Sequence, residues 1–229
     1  MTAALSIVIP ALDAAAHLRA TLASLRDARA DILVREIIVV DGGSQDGTAA
    51  LAAADGCRVL TSDPGRGVQL AAGACAATGD WLLFLHADTR LEPGWAAAVM
   101  AFAALPANAA RAGYFRYTLD DDSPPARRLA RLVAWRCRAL ALPYGDQGLL
   151  IARSFYEALG GYRPLPLMED VDLVRRLGRR RLVALDARAV TSAARYRQGG
   201  WIARPLRNLS CLLLYFLGLS PRVIRRLYA

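Results

Sequence analysis

Short apolar runs alternate with segments of helical spacing through the first half of the chain. In the first helical segment, Leu18, Leu22 and Leu25 share one face. Alternation of buried strands with helices is typical of an α/β fold built on a mostly parallel sheet. We therefore predict a Rossmann-like sheet flanked by helices. Its first strands are predicted at Leu5–Ile9, Glu36–Val40, Arg58–Leu60 and Trp81–Leu85.

The second half of the chain is less regular, which favours a mixed sheet with a helical C-terminal extension. Basic amphipathic helices are predicted at 126–141 and within 201–228. Pro106 and a change in charge balance divide one continuous domain into two halves, 1–105 and 106–229. The further strands are predicted at Gly113–Leu119, Gly148–Ile151 and Leu182–Leu185, and the further helices at Phe155–Leu159 and Leu173–Leu177.

The charge of the chain is unevenly distributed. All 29 basic residues are arginine, and 55% of the 229 residues are hydrophobic, which is enough for a large core. Residues 1–105 contain 7 Arg and 11 Asp or Glu, whereas residues 106–229 contain 22 Arg and 9 Asp or Glu. The basic half indicates an acidic neighbour, such as a nucleotide diphosphate or an anionic lipid. No nucleic-acid partner is expected, because the arginines match no binding motif and are not interleaved with aromatic residues.

The cysteines and apolar runs indicate the compartment. Cys57, Cys75, Cys137 and Cys211 are widely spaced and have no histidine nearby, so reduced thiols are expected rather than a zinc site. The N-terminus lacks the basic region of a signal peptide. The longest apolar run, Leu209 to Leu219, is shorter than the roughly 20 residues that span a bilayer. We expect a cytoplasmic protein, with peripheral contact at the inner face of the membrane as an open alternative.

Three aspartates lie just beyond the ends of predicted strands, and the carboxyl ends of such strands form the ligand-binding edge of a parallel sheet. Asp41 continues into Gly-Gly-Ser, where a carboxylate could accept hydrogen bonds from a base or ribose, and Asp63 follows the third strand. Asp88 follows a very apolar strand. One or two protein carboxylates suffice for a hard cation that bridges two phosphates. His86 is either a second polar contact at that site or a packed strand-end histidine.

A loop with two glycines offers a phosphate site. Arg66 lies between Gly65 and Gly67, where an open backbone suits contact with phosphate. The same sequence is also compatible with a plain loop that has no ligand. The segment also resembles a dinucleotide fingerprint. That reading fails because Leu70 replaces the third glycine and because the motif follows the third strand.

The second half adds acidic and polar candidates. Glu169 and Asp170 open a predicted helix, where acids either compensate the helix dipole or supply a general base. Asp146 and Gln147 lie between glycines, in either a surface turn or the floor of an acceptor site. Arg195 could clamp a departing diphosphate, or it could simply be one of many arginines.

Taken together and in order, these motifs resemble the family 2 glycosyltransferases over nearly the whole chain. The Gly-Arg-Gly-x-Gln and Gly-Asp-Gln-Gly segments are similar to those of a short, stand-alone bacterial subgroup. The segments that carry the family resemblance are Ser6–Pro10, Ile38–Thr48, Leu85–Thr89 and Met168–Leu173.

The resemblance implies a GT-A fold and an inverting enzyme that uses a nucleotide-diphosphate sugar, UDP- or GDP-linked, with Mn²⁺ or Mg²⁺. By position, Pro10, Asp41 and Arg66 would face the nucleotide. Asp88 is similar to the last acid of the family's D-x-D motif and would be the metal ligand. Asp170 matches the acid of the family's E-D pair and would be the base.

The sequence departs from the family pattern at several positions. His86 replaces the first acid of D-x-D, and Asp13 stands where a family Asn-Glu pair begins. Ser192 and Tyr196 replace the Gln and Trp of the Q-x-x-R-W motif of processive members. The degenerate motif and the lack of a predicted membrane span favour transfer of a single sugar over polymer synthesis.

We therefore predict transfer of one sugar to a hydroxyl acceptor bound by the basic half, and a lipid-linked acceptor is one candidate. A nucleotidyltransferase is an alternative, but the Gly-rich, Lys-containing N-terminal loop expected there is absent from the sequence. A non-catalytic nucleotide-binding protein is the other alternative. His86 in place of an acid supports it, and the intact Glu169–Asp170 pair argues against it.

Overall fold

The computed structural model describes residues 4–26 and 34–228, and within them eight strands form one sheet. The sheet runs through both halves of the chain, so the predicted halves share one framework. The strands are β1 (Leu5–Ala11), β2 (Val34–Asp41), β3 (Arg58–Thr61), β4 (Trp81–Phe84), β5 (Thr89–Leu91), β6 (Ala112–Leu119), β7 (Leu149–Ala152) and β8 (Leu182–Thr191).

Helices flank the sheet and form the C-terminal extension. Short 3₁₀ turns lie at Pro106–Ala110, Gly145–Gln147 and Arg179–Arg181. The helices are α1 (Ala15–Ala23), α2 (Thr48–Ala54), α3 (Arg66–Ala76), α4 (Trp95–Ala103), α5 (Pro124–Leu140), α6 (Arg153–Ala158), α7 (Glu169–Leu177), α8 (Ala194–Gly199), α9 (Ala203–Phe216) and α10 (Pro221–Tyr228).

The sheet order β3-β2-β1-β4-β7-β6-β8-β5 combines a parallel half with a mixed half. Strands β3, β2, β1 and β4 are parallel, whereas β7 is antiparallel to both of its neighbours, β4 and β6. Strand β8 is parallel to β6, and β5 is antiparallel to β8. The predicted mixed α/β fold is confirmed. Strand β5 was not predicted, because three residues are too few to show a pattern.

The central strand β1 shows why the strands of the first half are continuous apolar runs in the sequence. All seven of its residues are buried. Ile7 and Ile9 pack in the cluster that contains Leu18 and Leu22 of α1, whereas Val8 packs in the cluster on the opposite face with Leu70 of α3. Since side chains alternate along a strand, both faces of β1 are covered by helices.

The C-terminal extension packs against α7 and Leu142 through α9. Leu212 lies in a buried cluster with Leu142, Val171 and Val174. The predicted helical extension is therefore confirmed. Within residues 4–26 and 34–228, no helix is both long and apolar enough to cross a membrane.

Candidate active site

A cleft lies where several strand ends meet at one edge of the sheet. Strands β4, β6 and β8 run in the same direction, so their carboxyl ends share this edge. Because β7 runs the other way, the turn that precedes it reaches the same edge. Helices α7 and α9 supply further lining residues. The charged and titratable candidates around the cleft are Arg66, His86, Asp88, Asp146, Glu169, Asp170, Arg195 and Arg204.

Asp88 is held at the cleft by strand pairing. It precedes β5, whose Thr89 pairs with Thr191 at the end of β8, and its carbonyl accepts a hydrogen bond from the Ser192 N–H at 3.3 Å. The same pairing brings Arg195 close, with its Nη2 atom 3.7 Å from Oδ2 of Asp88. A carboxylate and a guanidinium predicted to handle the donor diphosphate are therefore adjacent.

His86 lies deep in the cleft, packed against the backbone of Gly145. Burial, assisted by the positive charge of Arg66, lowers the pKa of His86 to about 4, so the imidazole is neutral near pH 7. A β-carbon on Gly145 would lie 2.4 Å from Nε2 of His86. The close packing agrees with the strand-end interpretation of His86. A neutral imidazole is also the form that binds metals.

The two acids at the start of α7 occupy different environments. Oδ2 of Asp170 accepts a hydrogen bond from the Gly145 N–H at 2.9 Å, and Oδ1 accepts one from the Val171 N–H at 2.7 Å. Oε1 of Glu169 lies 3.6 Å from Nε of Arg66, and its side chain is only 2% exposed. Burial raises the pKa of Glu169 to about 7, against the opposing effect of Arg66. Asp170 is thus fixed in orientation, while Glu169 is buried beside the Arg66 cation.

The turn at Gly145–Gln147 separates the roles of its two polar residues. Asp146 lines the cleft, and within the described residues its buried Oδ1 atom has no hydrogen-bond partner. Burial raises the pKa of Asp146 to about 6. Buried polar atoms in folded proteins are nearly always paired, so the orphan oxygen indicates a ligand or water contact.

Gln147 instead points into the protein. It is 2% exposed, its amide N–H donates to the Phe115 carbonyl at 3.1 Å, and its Oε1 accepts from Arg136 and Cys137. Gln147 does not line the cleft, and its contact with substrate stays a prediction. Its hydrogen bonds instead fix the turn that presents Asp146.

Arg66 lines the cleft, whereas the other predicted donor contacts, Pro10, Asp41 and Asp63, lie along the parallel part of the same edge, outside that lining. Pro10 is the penultimate residue of β1, Asp41 ends β2, and Asp63 is exposed beyond β3. The chain leaves β1 for β2 and β3 on one side and returns to β4 on the other, which creates a switch point of the kind that binds nucleotides.

The loop after β2 is shaped by Asp41 itself. Its Oδ2 atom accepts hydrogen bonds from the N–H groups of Gly43 at 3.2 Å and Ser44 at 3.0 Å. Gln69 of α3, the glutamine of the Gly-Arg-Gly-x-Gln segment, donates from Nε2 to the carbonyls of Ala11 at 2.7 Å and Val40 at 2.8 Å. The side chain of Asp41 is thus partly engaged in holding its own loop.

Sequence reasoning missed one wall of the cleft. Arg204, Asn208 and Cys211 of α9 line it at helical spacing, together with Tyr117 of β6 and Tyr144. Within the described residues, buried Oδ1 of Asn208 has no hydrogen-bond partner. The signal available in the sequence was the spacing of i, i+4 and i+7, which places Arg204, Asn208 and Cys211 on one helix face.

The residues at the cleft fit a divalent cation only in part. Within the described ranges, no cluster of three or more His, Cys, Asp or Glu side chains could enclose a metal. Asp88 offers a single carboxylate, with His86 beside it. Mg²⁺ and Mn²⁺ accept few protein ligands when phosphate oxygens and water complete the shell. The donor set therefore fits a cation that arrives with a diphosphate.

The contact between Gly145 and His86 leads to a prediction about stability and turnover. Gly145→Ala should destabilise the protein by about 1–3 kcal/mol, because the added methyl group overlaps the imidazole and must displace it. Turnover should fall as well. Alanine keeps the backbone N–H, but a shift of the turn away from His86 would move this N–H from the Asp170 carboxylate that it orients. Thermal denaturation and activity assays measure the two effects.

Gly199→Ala is the matched control for that substitution. Gly199 is helical, and a β-carbon there would meet its nearest neighbour at an ordinary 3.8 Å. Alanine should leave stability unchanged or slightly raised. Equal stability of the two variants would show that His86 does not pack against Gly145 as described.

Comparison with known proteins gives curated relatives that match part of the chain. Glucosyl-3-phosphoglycerate synthase of Mycobacterium tuberculosis is 34% identical over 93 residues, which are 37% of this chain and 28% of that protein. A TPR repeat-containing protein of Synechococcus elongatus is 38% identical over 91 residues, 39% of this chain and 21% of that protein. The chain thus spans less than a third of the length of these relatives in either match.

Solved structures establish the fold. The mycobacterial synthase in complex with Mn²⁺, UDP and glucosyl-3-phosphoglycerate has a TM-score of 0.59 and 22% identity, covering 83% of this chain and 70% of that one. The same synthase with Mg²⁺ and UDP gives 0.58 and 23%, with the same coverage. The GT-A fold is therefore shown.

The family itself is established by a match that covers most of the chain. The family model for glycosyl transferase family 2 aligns with residues 6–155, from β1 into α6. The matched range contains Asp41, Arg66, Asp88 and the Gly145–Gln147 turn. The chain belongs to glycosyl transferase family 2.

Proposed function

We propose that this protein transfers one sugar, with inversion, from a UDP- or GDP-linked sugar to a hydroxyl acceptor, with Mn²⁺ or Mg²⁺. One observation carries the proposal. The cleft brings Asp88, Arg195 and Arg66 together with the acidic pair Glu169 and Asp170. Single displacement at a sugar carbon needs these two sets of groups, one to stabilise a leaving diphosphate and one to accept a proton.

The diphosphate of the donor is assigned to the Asp88 side of the cleft. Asp88, with His86 beside it, would hold the cation, which neutralises charge on the departing diphosphate. Arg195 and Arg66 are positioned to bind phosphate oxygens in addition. The mycobacterial synthase with bound UDP and Mn²⁺ or Mg²⁺ supports the same class of donor. Pro10, Asp41 and Asp63 are assigned to the nucleoside at the neighbouring strand ends.

Asp170 is assigned as the general base. Two backbone N–H groups fix its carboxylate at the start of α7, so that the proton acceptor is positioned before the substrate arrives. The acceptor hydroxyl gives its proton to Asp170 as its oxygen attacks the anomeric carbon, and the diphosphate leaves from the opposite face. We assign a positioning role to Glu169, because its 3.6 Å contact holds the guanidinium of Arg66 in place.

The acceptor is assigned to the wall formed by residues 106–229, and the donor mainly to residues 1–105. Asp146 and Asn208 each present a buried oxygen without a hydrogen-bond partner in the described structure, which suits the hydroxyl groups of an acceptor. A lipid-linked acceptor and peripheral contact with an anionic membrane are part of the proposal.

A screen of UDP- and GDP-sugars with and without Mn²⁺ tests the function. We expect slow, metal-dependent release of nucleoside diphosphate from at least one donor, because water can replace the acceptor. A nucleotidyltransferase would instead release pyrophosphate from a nucleoside triphosphate. A non-catalytic binding protein would bind a donor without cleaving it, and either outcome would reject the proposal.

A further inference from the structure

The outward face of α9 carries a row of large apolar side chains, here called the apolar row. It begins at Ile202, directly before the helix, and ends at Leu217, directly after it. The six side chains are between 45% and 77% exposed. Their spacing of four, three, four, three and one residues keeps them on one face of the helix. The apolar row consists of Ile202, Leu206, Leu209, Leu213, Phe216 and Leu217.

The apolar row is not the core-facing side of α9. Arg204, Asn208 and Cys211 line the cleft from another face, and Leu212 is buried in the cluster with Val171. The described structure therefore covers the face of the helix that buries Cys211 and Leu212, and it leaves the apolar row uncovered. A contiguous exposed row of this size on a surface helix is characteristic of an interaction site.

Helix α10 extends the same pattern. It contacts α9, buries Ile224 completely and leaves Val223 and Leu227 45% and 59% exposed. Leu219, in the turn between the two helices, is 37% exposed. The two helices thus form a hairpin with apolar side chains exposed along both arms and the connecting turn.

The charge of this region identifies the partner. Residues 187–229 contain eight arginines and no aspartate or glutamate. Three of these arginines, Arg222, Arg225 and Arg226, are exposed on α10. An apolar face combined with arginines of uniform charge matches the surface of an anionic bilayer, where apolar side chains enter the headgroup boundary and arginines contact lipid phosphates. A symmetric dimer through the hairpin would instead bring the same arginine-rich surfaces together, which is unfavourable.

We propose that the apolar row of α9, together with α10, docks on an anionic lipid surface. Since α9 also forms a wall of the cleft, docking would place the cleft beside the bilayer. This consequence rests on the proposed function. With the cleft beside the bilayer, the acceptor would be a hydroxyl compound carried by that lipid surface.

Vesicle sedimentation with the full chain tests the docking. We expect binding to vesicles of phosphatidylglycerol and phosphatidylcholine that is at least about tenfold stronger than binding to phosphatidylcholine alone, and weaker at high salt. The double variant Leu209→Glu/Leu213→Glu should lose at least about tenfold of that binding, because it places two negative charges at the lipid boundary. Leu105→Glu, at an equally exposed position (57%) after α4, is the matched control and should bind like the wild type.

Several results would overturn the docking proposal. Absence of binding to anionic vesicles at low salt would do so, as would equal binding by the double variant. The third is a wild-type protein that does not bind vesicles but forms a dimer in analytical ultracentrifugation, while the double variant is monomeric. A second copy of the chain would then cover the apolar row.

A lipid-free assay separates this proposal from the proposed function. The double variant should keep normal UDP binding and normal donor hydrolysis in solution, because neither Leu209 nor Leu213 lines the cleft. Vesicle binding without any donor turnover would reject the enzyme and leave docking intact. Donor turnover without vesicle binding would reject docking alone.

Discussion

Asp170→Asn is expected to lower kcat for sugar transfer by about 10²- to 10⁴-fold while leaving the dissociation constant for the donor within a few fold. The amide keeps the shape of the carboxylate and can still accept a hydrogen bond from the Gly145 N–H through its oxygen. It cannot take a proton from the acceptor hydroxyl at neutral pH. Steady-state kinetics and calorimetric titration with the donor nucleotide measure the two quantities.

Asp172→Asn is the matched control on the same helix. Asp172 pairs with Arg176 at 2.6 Å and Arg163 at 3.0 Å, and it does not line the cleft. Its substitution should lower the melting temperature, because the buried Asp172 carboxylate gives up its charge in both ion pairs, and kcat should change only a few fold. If Asp170→Asn kept near-normal turnover, the base would have to be another group, and Glu169 is the next candidate to test.

Asp88→Asn is expected to weaken Mn²⁺-dependent binding of UDP by at least about 100-fold and to reduce turnover correspondingly. The physical reason is that Asp88 is the carboxylate assigned to the cation, and within the described residues no cluster could replace it. Removing the metal from the wild-type protein with EDTA should produce the same loss. Isothermal titration with UDP, with and without Mn²⁺, measures both effects.

Asp80→Asn is the control for this substitution, since Asp80 is exposed at the opposite end of the same strand, β4. Donor binding should be unchanged there. Donor binding that is indifferent both to EDTA and to Asp88→Asn would reject the metal site. Loss of binding on EDTA treatment with normal binding by Asp88→Asn would assign the cation to other ligands.

The two substitutions separate two functions of one cleft. Asp88 lies beside Arg195, where the proposal places the diphosphate, whereas Asp170 lies beside the Gly145 turn, where it places the acceptor. A variant of Asp88 should therefore fail in donor binding, and a variant of Asp170 should fail in the chemical step.

The sequence alone predicted the parallel half of the fold and the edge at which ligands bind. Buried strands such as β1 read as unbroken apolar runs because helices cover both faces, and that pattern is local in the chain. The positions of Asp41 and Asp88 after such strands placed them at the carboxyl edge. The family resemblance placed Arg66 and Asp170 in the same site, and the structure brings both to the cleft.

The mixed half of the sheet could not be predicted to the same depth. Strand β5 is three residues long and exists because β8 pairs with it, about a hundred residues later in the chain. The antiparallel direction of β7 brings Asp146 to the cleft while Gln147 turns inward. Neither direction nor register is encoded in the local pattern, because both depend on partners distant in sequence.

The two faces of α9 show most clearly what the sequence alone does not determine. The sequence by itself determined that 201–228 is basic and amphipathic, because helical periodicity depends only on neighbouring residues. Only the tertiary structure decided that Arg204 and Asn208 face the cleft while Leu209 and Leu213 remain exposed. Burial of a helix face depends on which distant element packs against it, and here α7 and Leu142 cover one face and leave the other open.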